Sequence, residues 1–221
     1  GGRDGRLASP ELAGAQSDGF VAGGARVSDM VCVPTPMLYC GSDGFGSGEA
    51  IRVTVGHKPP THKGLKRGMG GLSFFGADIE ELGRVSAAGP DRTDDGGVVS
   101  RAIEEAYVDR LAAGAVATGL SVIWDCGNGA SGPATERLVA RLDGTHKVLF
   151  PEIDGTFPNH PPNPVDPETL ELLRAEVAAA GADLGIGFDG DGDRIGVIDG
   201  TGRQVPGDLL TAFLAKDVAV R

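Results

Sequence analysis

Cysteine is scarce in this chain of 221 residues, and Cys32, Cys40 and Cys126 show no paired CxxC spacing. Neither a disulfide framework nor a zinc site is indicated, and a reducing, cytoplasmic setting is the expectation. Basic charge is short as well: 20 Lys and Arg stand against 31 Asp and Glu, a formal charge of −11. That balance argues against a nucleic-acid backbone or an acidic membrane as partner, because both need a basic face. No basic-then-apolar leader is seen, and no apolar run is long enough to span a bilayer. The opening Gly1-Gly2-Arg3-Asp4-Gly5-Arg6 has no initiator methionine and reads as interior sequence of a larger protein.

Glycine is plentiful. With 37 Gly and 14 Pro the chain needs many tight loops, while 40% hydrophobic content keeps it in the globular class. The length suits two ordinary domains. Ser9-Pro10-Glu11 opens a helix to about Gly23. Strands are expected at 27–33 and 50–55, with a short helical stretch near Met37 that dissolves into Gly41, Gly44, Gly46 and Gly48. A helix at 78–87 precedes Gly89–Ser100, a polar stretch expected to be a linker. Further on, helical spacing at 101–113, 133–142, 167–180 and from about Asp208 alternates with strands at 120–124, 147–150, 182–188 and 195–198. This order predicts an α/β fold with largely parallel sheets.

The most informative run is Gly187-Phe188-Asp189-Gly190-Asp191-Gly192-Asp193-Arg194. Three carboxylates two residues apart, separated by glycines that free the backbone, converge within a few ångströms. Each like-charge pair then costs roughly 4 kcal/mol at an effective dielectric of 20. A divalent cation relieves this, and all-oxygen ligation favours Mg²⁺ or Ca²⁺. A calcium EF-hand is excluded, since its loop needs Gly at position six and Glu at position twelve, where Arg194 and Gly200 stand. Short apolar runs flank the loop, placing the acids at the C-terminal end of a strand, where ligand sites of open α/β sheets gather.

Six other segments complete a pattern. They are Gly2-Arg3-Asp4-Gly5-Arg6-Leu7 with Ser9-Pro10-Glu11-Leu12, Val33-Pro34-Thr35-Pro36, the loop at 54–66, Asp125-Cys126-Gly127-Asn128-Gly129, and Asp154-Gly155-Thr156-Phe157-Pro158-Asn159-His160. Together with the aspartate loop they resemble, in order, the first two domains of the α-D-phosphohexomutases, most closely the bacterial phosphomannomutase/phosphoglucomutase branch. The resemblance implies two tandem α/β/α domains of the four found in that family, placed at 1–112 and 113–221. It also implies exchange of a phosphoryl group between a serine and the 1- and 6-positions of a hexose, with mannose or glucose phosphate as the small-molecule partner.

Carried over residue by residue, the resemblance implies Mg²⁺ on Asp189, Asp191 and Asp193, with Arg194 supplying bidentate charge to a phosphoryl group. It implies that Lys66 moves the proton of the sugar hydroxyl, which requires a lowered pKa. Arg6 and Lys58 become substrate-binding candidates, and His57 either touches phosphate or holds its loop by hydrogen bonds. Arg3 faces the cleft or a solvated loop. The turn at Asp125–Gly129 either packs tightly or binds an anion, and His160 is structural.

The decisive departure is Gly56. Where the family reads Thr-x-Ser-His-Asn-Pro, this chain reads Thr54-Val55-Gly56-His57-Lys58-Pro59, so the phosphoserine position has no hydroxyl. Arg52 falls in a strand that should be buried, where an unpaired guanidinium is costly. The stretch Arg67-Gly68-Met69-Gly70-Gly71 also lacks the branched apolar residues a strand prefers. A less stable first domain is expected. Three functions follow: a mutase fragment, an inactive module that binds Mg²⁺ and phosphosugar, or a remnant whose first domain no longer folds.

Overall fold

In the computed structural model the described residues are 1–59, 61–69, 72–89, 92–93, 95–116 and 119–219. Pro60, Gly70 and Gly71, and three positions of the expected linker, lie outside them. The first half runs β1 (Gly2–Arg3), α1 (Ser9–Ala22), β2 (Arg26–Asp29), α2 (Thr35–Gly44), β3 (Glu49–Val53), β4 (Leu65–Met69), β5 (Leu72–Ser73), α3 (Ala77–Ala88), β6 (Gly97–Ser100) and α4 (Glu104–Gly114). The second half comprises β7 (Ser121–Asp125), α5 (Gly132–Val139), β8 (Thr145–Leu149) and a 3-10 turn at Pro167–Leu170. There follow α6 (Glu171–Ala180), β9 (Leu184–Phe188), β10 (Ile195–Asp199), β11 (Gln204–Val205) and α7 (Gly207–Val218).

Sheets are mixed. One has the order β1-β3-β4-β5, a second β11-β10-β9-β7-β8, and β2 pairs with β6 alone. β7 lies parallel to both β8 and β9, whereas β10 returns antiparallel to β9 and places Ile195 opposite Phe188. The acid loop is therefore the turn of a hairpin at one end of the second sheet. No helix among the described residues is long and apolar enough to cross a membrane.

Three expectations are corrected. The polar stretch after α3 is not wholly a linker: its last four residues are β6, parallel to β2 from Arg26↔Gly97 to Asp29↔Ser100. Helix α2 also does not dissolve at Gly41. That glycine is buried where a Cβ would come within 2.6 Å of Ile103 Cδ1 and Met30 Cε, so its missing side chain admits close neighbours. Strand β2, in turn, stops short of residue 33. Val31 takes φ +62, and its N–H is bonded by Asp29 Oδ1 at 2.9 Å, an Asx turn that ends the pairing.

Burial separates the halves. Ile123, Leu149, Leu170, Leu173, Val177, Ala182 and Ile198 form the core beneath the second sheet. Val122 and Ile123 are buried as expected, while Trp124, Ile186 and Phe188 are half-buried on the face opposite Ile123, where Trp124 stacks on Phe188 at 6.3 Å. The first cluster joins Met30, Met37, Leu38, Ala50, Ile103 and Val108 to Ala134 of α5, so it crosses from one half to the other. Helix α3 has no buried residue.

Candidate metal centre

Strand β9 ends at Phe188, and the next residue, Asp189, is fully buried. Its Oδ1 accepts the backbone N–H groups of Asp193 and Arg194 at 3.0 and 3.1 Å, which folds the loop back on itself. Gly192 makes the turn with φ +69. Ligating oxygens of Asp189, Asp191 and Asp193 all lie within 4.8 Å of one another.

Asp191, also fully buried, ties the loop to the first half. Its Oδ2 accepts from Thr35 Oγ1 at 2.8 Å, Thr54 Oγ1 at 3.1 Å and Lys66 Nζ at 2.7 Å. Arg52 Nε stands 3.8 Å from the same oxygen. Lys66 bridges onward to Asp193 Oδ2 at 2.7 Å. Burial by itself would raise the Asp191 carboxyl pKa, but the hydrogen bond and charge of Lys66, then Thr35 and Arg52, outweigh it and hold the carboxyl below its usual range. Asp189 goes the other way: desolvation, reinforced by the neighbouring carboxylates, pushes it up. Lys66 is raised as well. Burial opposes its charge, yet the bonds to Asp191 and Asp193 prevail. This reverses the lowered pKa that proton transfer by Lys66 requires; neutralising the two carboxylates would remove what holds it up.

The loop carrying Gly56 lies directly against the acids. Gly56 has φ +59, and a Cβ built on it stands 3.2 Å from Asp189 Oδ2, 3.4 Å from Asp191 Oδ1 and 3.8 Å from Lys66 Nζ. Those two carboxylate oxygens are buried without a hydrogen-bond partner among the described residues. Buried anionic oxygens left in this state are costly. Hard oxygens converging on one point are the donor set a divalent cation takes, so the residues present fit Mg²⁺.

His57 and Arg194 meet at the mouth: Arg194 Nη1 lies 2.6 Å from His57 Nδ1. Desolvation, then the charges of Arg194, Lys58 and Lys66, lower the His57 pKa, so the neutral ring accepts from Arg194. Lys58 is exposed on the same loop.

Arg6 is buried and turned away from solvent. Nη1 donates to Pro59 O at 2.7 Å, and Nη2 to Gly56 O at 2.7 Å and Lys58 O at 2.5 Å. Nε donates to Asp4 Oδ2 at 3.1 Å. The guanidinium, lying 5.2 Å from the Phe157 ring centroid, is taken up in shaping the loop over the acids. Arg3 is half-buried and donates to Asp4 O at 3.4 Å. Sequence reasoning missed Asp4, Thr35 and Thr54, which bond to Arg6 or to Asp191. A signal was present, since Asp4 and Thr35 sit inside motifs recognised for other reasons.

The Asp125–Gly129 turn is packed. A Cβ on Gly129 would stand 3.1 Å from the carbonyl oxygens of Asp189 and Gly190, so the turn buttresses the acid loop. Asp125 Oδ1 caps Gly127 N at 2.9 Å, and its Oδ2 lies 3.0 Å from His160 Nε2. His160 thus clamps the 154–163 loop, which also carries Phe157, to the end of β7.

Two family models match. Phosphoglucomutase/phosphomannomutase alpha/beta/alpha domain I covers residues 2–87, and domain II covers 105–202. A phosphomannomutase/phosphoglucomutase of Pseudomonas aeruginosa strain PAO1 is 38% identical over all of this chain and 48% of its own length. A phosphoglucomutase of Neisseria gonorrhoeae is 35% identical over the same shares. The crystal structure of a phosphoglucomutase/phosphomannomutase family protein from Burkholderia thailandensis superposes with a TM-score of 0.89 at 36% identity, covering the whole chain and 50% of that structure. The chain spans about half the length of the curated relatives it matches. Both halves of the chain carry their motifs in order around one acid loop, and the chain belongs to the phosphoglucomutase/phosphomannomutase family.

Proposed function

We propose that this chain is the metal- and phosphate-handling half of a hexose-phosphate mutase, and that with Gly56 in place of the phosphoserine it binds phosphosugar without turning it over. Asp189, Asp191 and Asp193 would hold Mg²⁺, which when bound neutralises the carboxylates and polarises a phosphoryl oxygen. One observation carries the reading: Asp189 Oδ2 and Asp191 Oδ1, without a partner among the described residues, face the spot where a side chain at position 56 would begin. Arg194, steadied by neutral His57, and the exposed Lys58 place positive charge at the rim for a mannose or glucose 1- or 6-phosphate. Arg6 serves this site indirectly, by fixing the carbonyls of Gly56, Lys58 and Pro59. Lys66 lies close enough to position 56 to exchange a proton with a bound hydroxyl once the carboxylates no longer hold it charged. The two domains are taken as 1–112 and 113–221, and a reducing cytoplasm suits the three free cysteines.

Gly56 decides between turnover and binding, because a phosphoenzyme relay needs a side-chain oxygen there. Titration calorimetry should detect Mg²⁺ uptake by the chain, and metal-dependent binding of glucose 1-phosphate with no conversion to the 6-phosphate. Absence of metal uptake at neutral pH would sink the reading. In a second arm, Gly56→Ser treated with a hexose bisphosphate should gain one phosphoryl group by intact mass, and the parent chain none.

A further inference from the structure

Arg52 is the least expected side chain of the centre. It is 1% exposed in β3, one residue before the strand ends, and Nε, Nη1 and Nη2 all lack a hydrogen-bond partner among the described residues. At that burial its guanidinium is withdrawn from bulk solvent. Its nearest charge is Asp191, with Nε 3.8 Å from Oδ2. Asp4 and Asp193 also act on it, while Lys66 and Arg194 are the other cations around the acids.

Resting on the metal site proposed above, we infer that Arg52 is a resident counter-ion of the aspartate loop that competes electrostatically with the divalent cation and weakens its binding. Three carboxylates are met from within the protein by Lys66, which hydrogen-bonds two of them, and by Arg52, which approaches Asp191 from the buried side. Arg52 forms no hydrogen bond to Asp191, so its interaction is charge alone, and a divalent cation held by the same carboxylate would be repelled by it. Bulk water, which screens surface charges, has no access to a side chain buried this deeply. The loss of a phosphoryl acceptor at Gly56 fits this balance. A site without phosphoserine carries less negative charge, so the two internal cations offset a larger share of it.

The test is Mg²⁺ titration calorimetry on the whole 221-residue chain, repeated with Mn²⁺ by electron paramagnetic resonance. Arg52→Met and Arg52→Gln both remove the charge and differ in polarity, so one covers for the other if a variant fails to fold. Arg84→Met removes the same charge from an exposed site on α3, where Arg84 pairs with Glu81. Both Arg52 variants should bind Mg²⁺ and Mn²⁺ roughly tenfold tighter or more, and Arg84→Met should match the parent. Equal affinity in parent and Arg52 variants, or weaker binding in the variants, overturns the role of Arg52 and leaves the metal site standing. No uptake by parent or any variant overturns both.

Discussion

Gly56 combines two constraints that a substitution must meet together. Its φ of +59 belongs to the left-handed region, where an L side chain costs roughly 1–2 kcal/mol, and a Cβ there stands 3.2 Å from a carboxylate oxygen. Gly56→Ser should therefore lower metal-free stability by about that amount. Mg²⁺ should restore more of it than in the parent, because the hydroxyl adds an oxygen to the same point; thermal melts with Mg²⁺ and with chelator check both. Arg6 is the opposite case, a residue whose removal leaves others stranded. Arg6→Met deprives buried Asp4 of its charged partner and three loop carbonyls of their donor. It should cost roughly 3–5 kcal/mol in denaturant titrations. Asp189 sets the pH dependence. Its folded pKa lies above the ordinary carboxylate value, so the fold favours the protonated form. The associated stability is present below the unfolded carboxylate range near pH 4 and is lost as pH rises through the raised value. Metal-free chain should thus lose stability between mildly acidic and neutral pH, and the melting-temperature gain from Mg²⁺ should grow across that interval. A gain independent of pH would contradict the raised carboxyl.

Among the elements, α3 and α6 mark the two extremes. Helix α3 buries nothing, and Ile79, Leu82 and Val85 are exposed, whereas α6 sends Leu173 and Val177 fully into the second core. Leu82→Ala should change stability by less than about 0.5 kcal/mol, and Leu173→Ala should cost roughly 2–5 kcal/mol. Amide exchange is expected to be fast through 77–88 and slowest in β7. Arg52 and Arg67, the residues from which a less stable first half is expected, differ in what they meet. Arg52 has a charge partner in Asp191 but no hydrogen bond, and Arg67 forks onto Glu49 at 2.9 and 3.0 Å while lying 4.5 Å from the Phe74 ring.

At the scale of the whole molecule, beyond the apolar cluster that reaches Ala134, two polar junctions between the halves differ in chemistry. Helices α4 and α5 are laced by Arg137 to Glu104 and Glu105 and by Arg141 to Glu105 and Asp109, all partly exposed pairs of modest worth. The other junction is Asp191, whose buried carboxylate takes Thr35, Thr54 and Lys66 from the first half. Asp191→Ala should uncouple the halves, leaving Lys66 and Arg52 without their shared anion. Scanning calorimetry should then show two transitions where the parent melts in one, the first half melting first. A single transition at lowered temperature would mean that the apolar cluster reaching Ala134 holds the halves together without help.

Most of the order of strands and helices in the second half and the acid loop were legible in the residues alone, because each depends on spacing within a few positions, while the missing hydroxyl at Gly56 was read from the family resemblance. Periodicity marks an element and alternating Asp-Gly marks a cluster of acids wherever the chain places them. What only the tertiary structure decided is who meets those acids. Lys66 lies 125 residues from Asp191 and Thr35 lies 156 residues away, and no local pattern encodes contacts of that span. The same holds for Arg6, whose donors turn inward to loop carbonyls 50 to 53 residues on rather than outward to a ligand. Strand β6 was hidden for a related reason: its pairing with β2 comes from the partner strand across the fold, not from its own composition. Short-range chemistry therefore named the centre, and packing of distant segments fixed its charge balance.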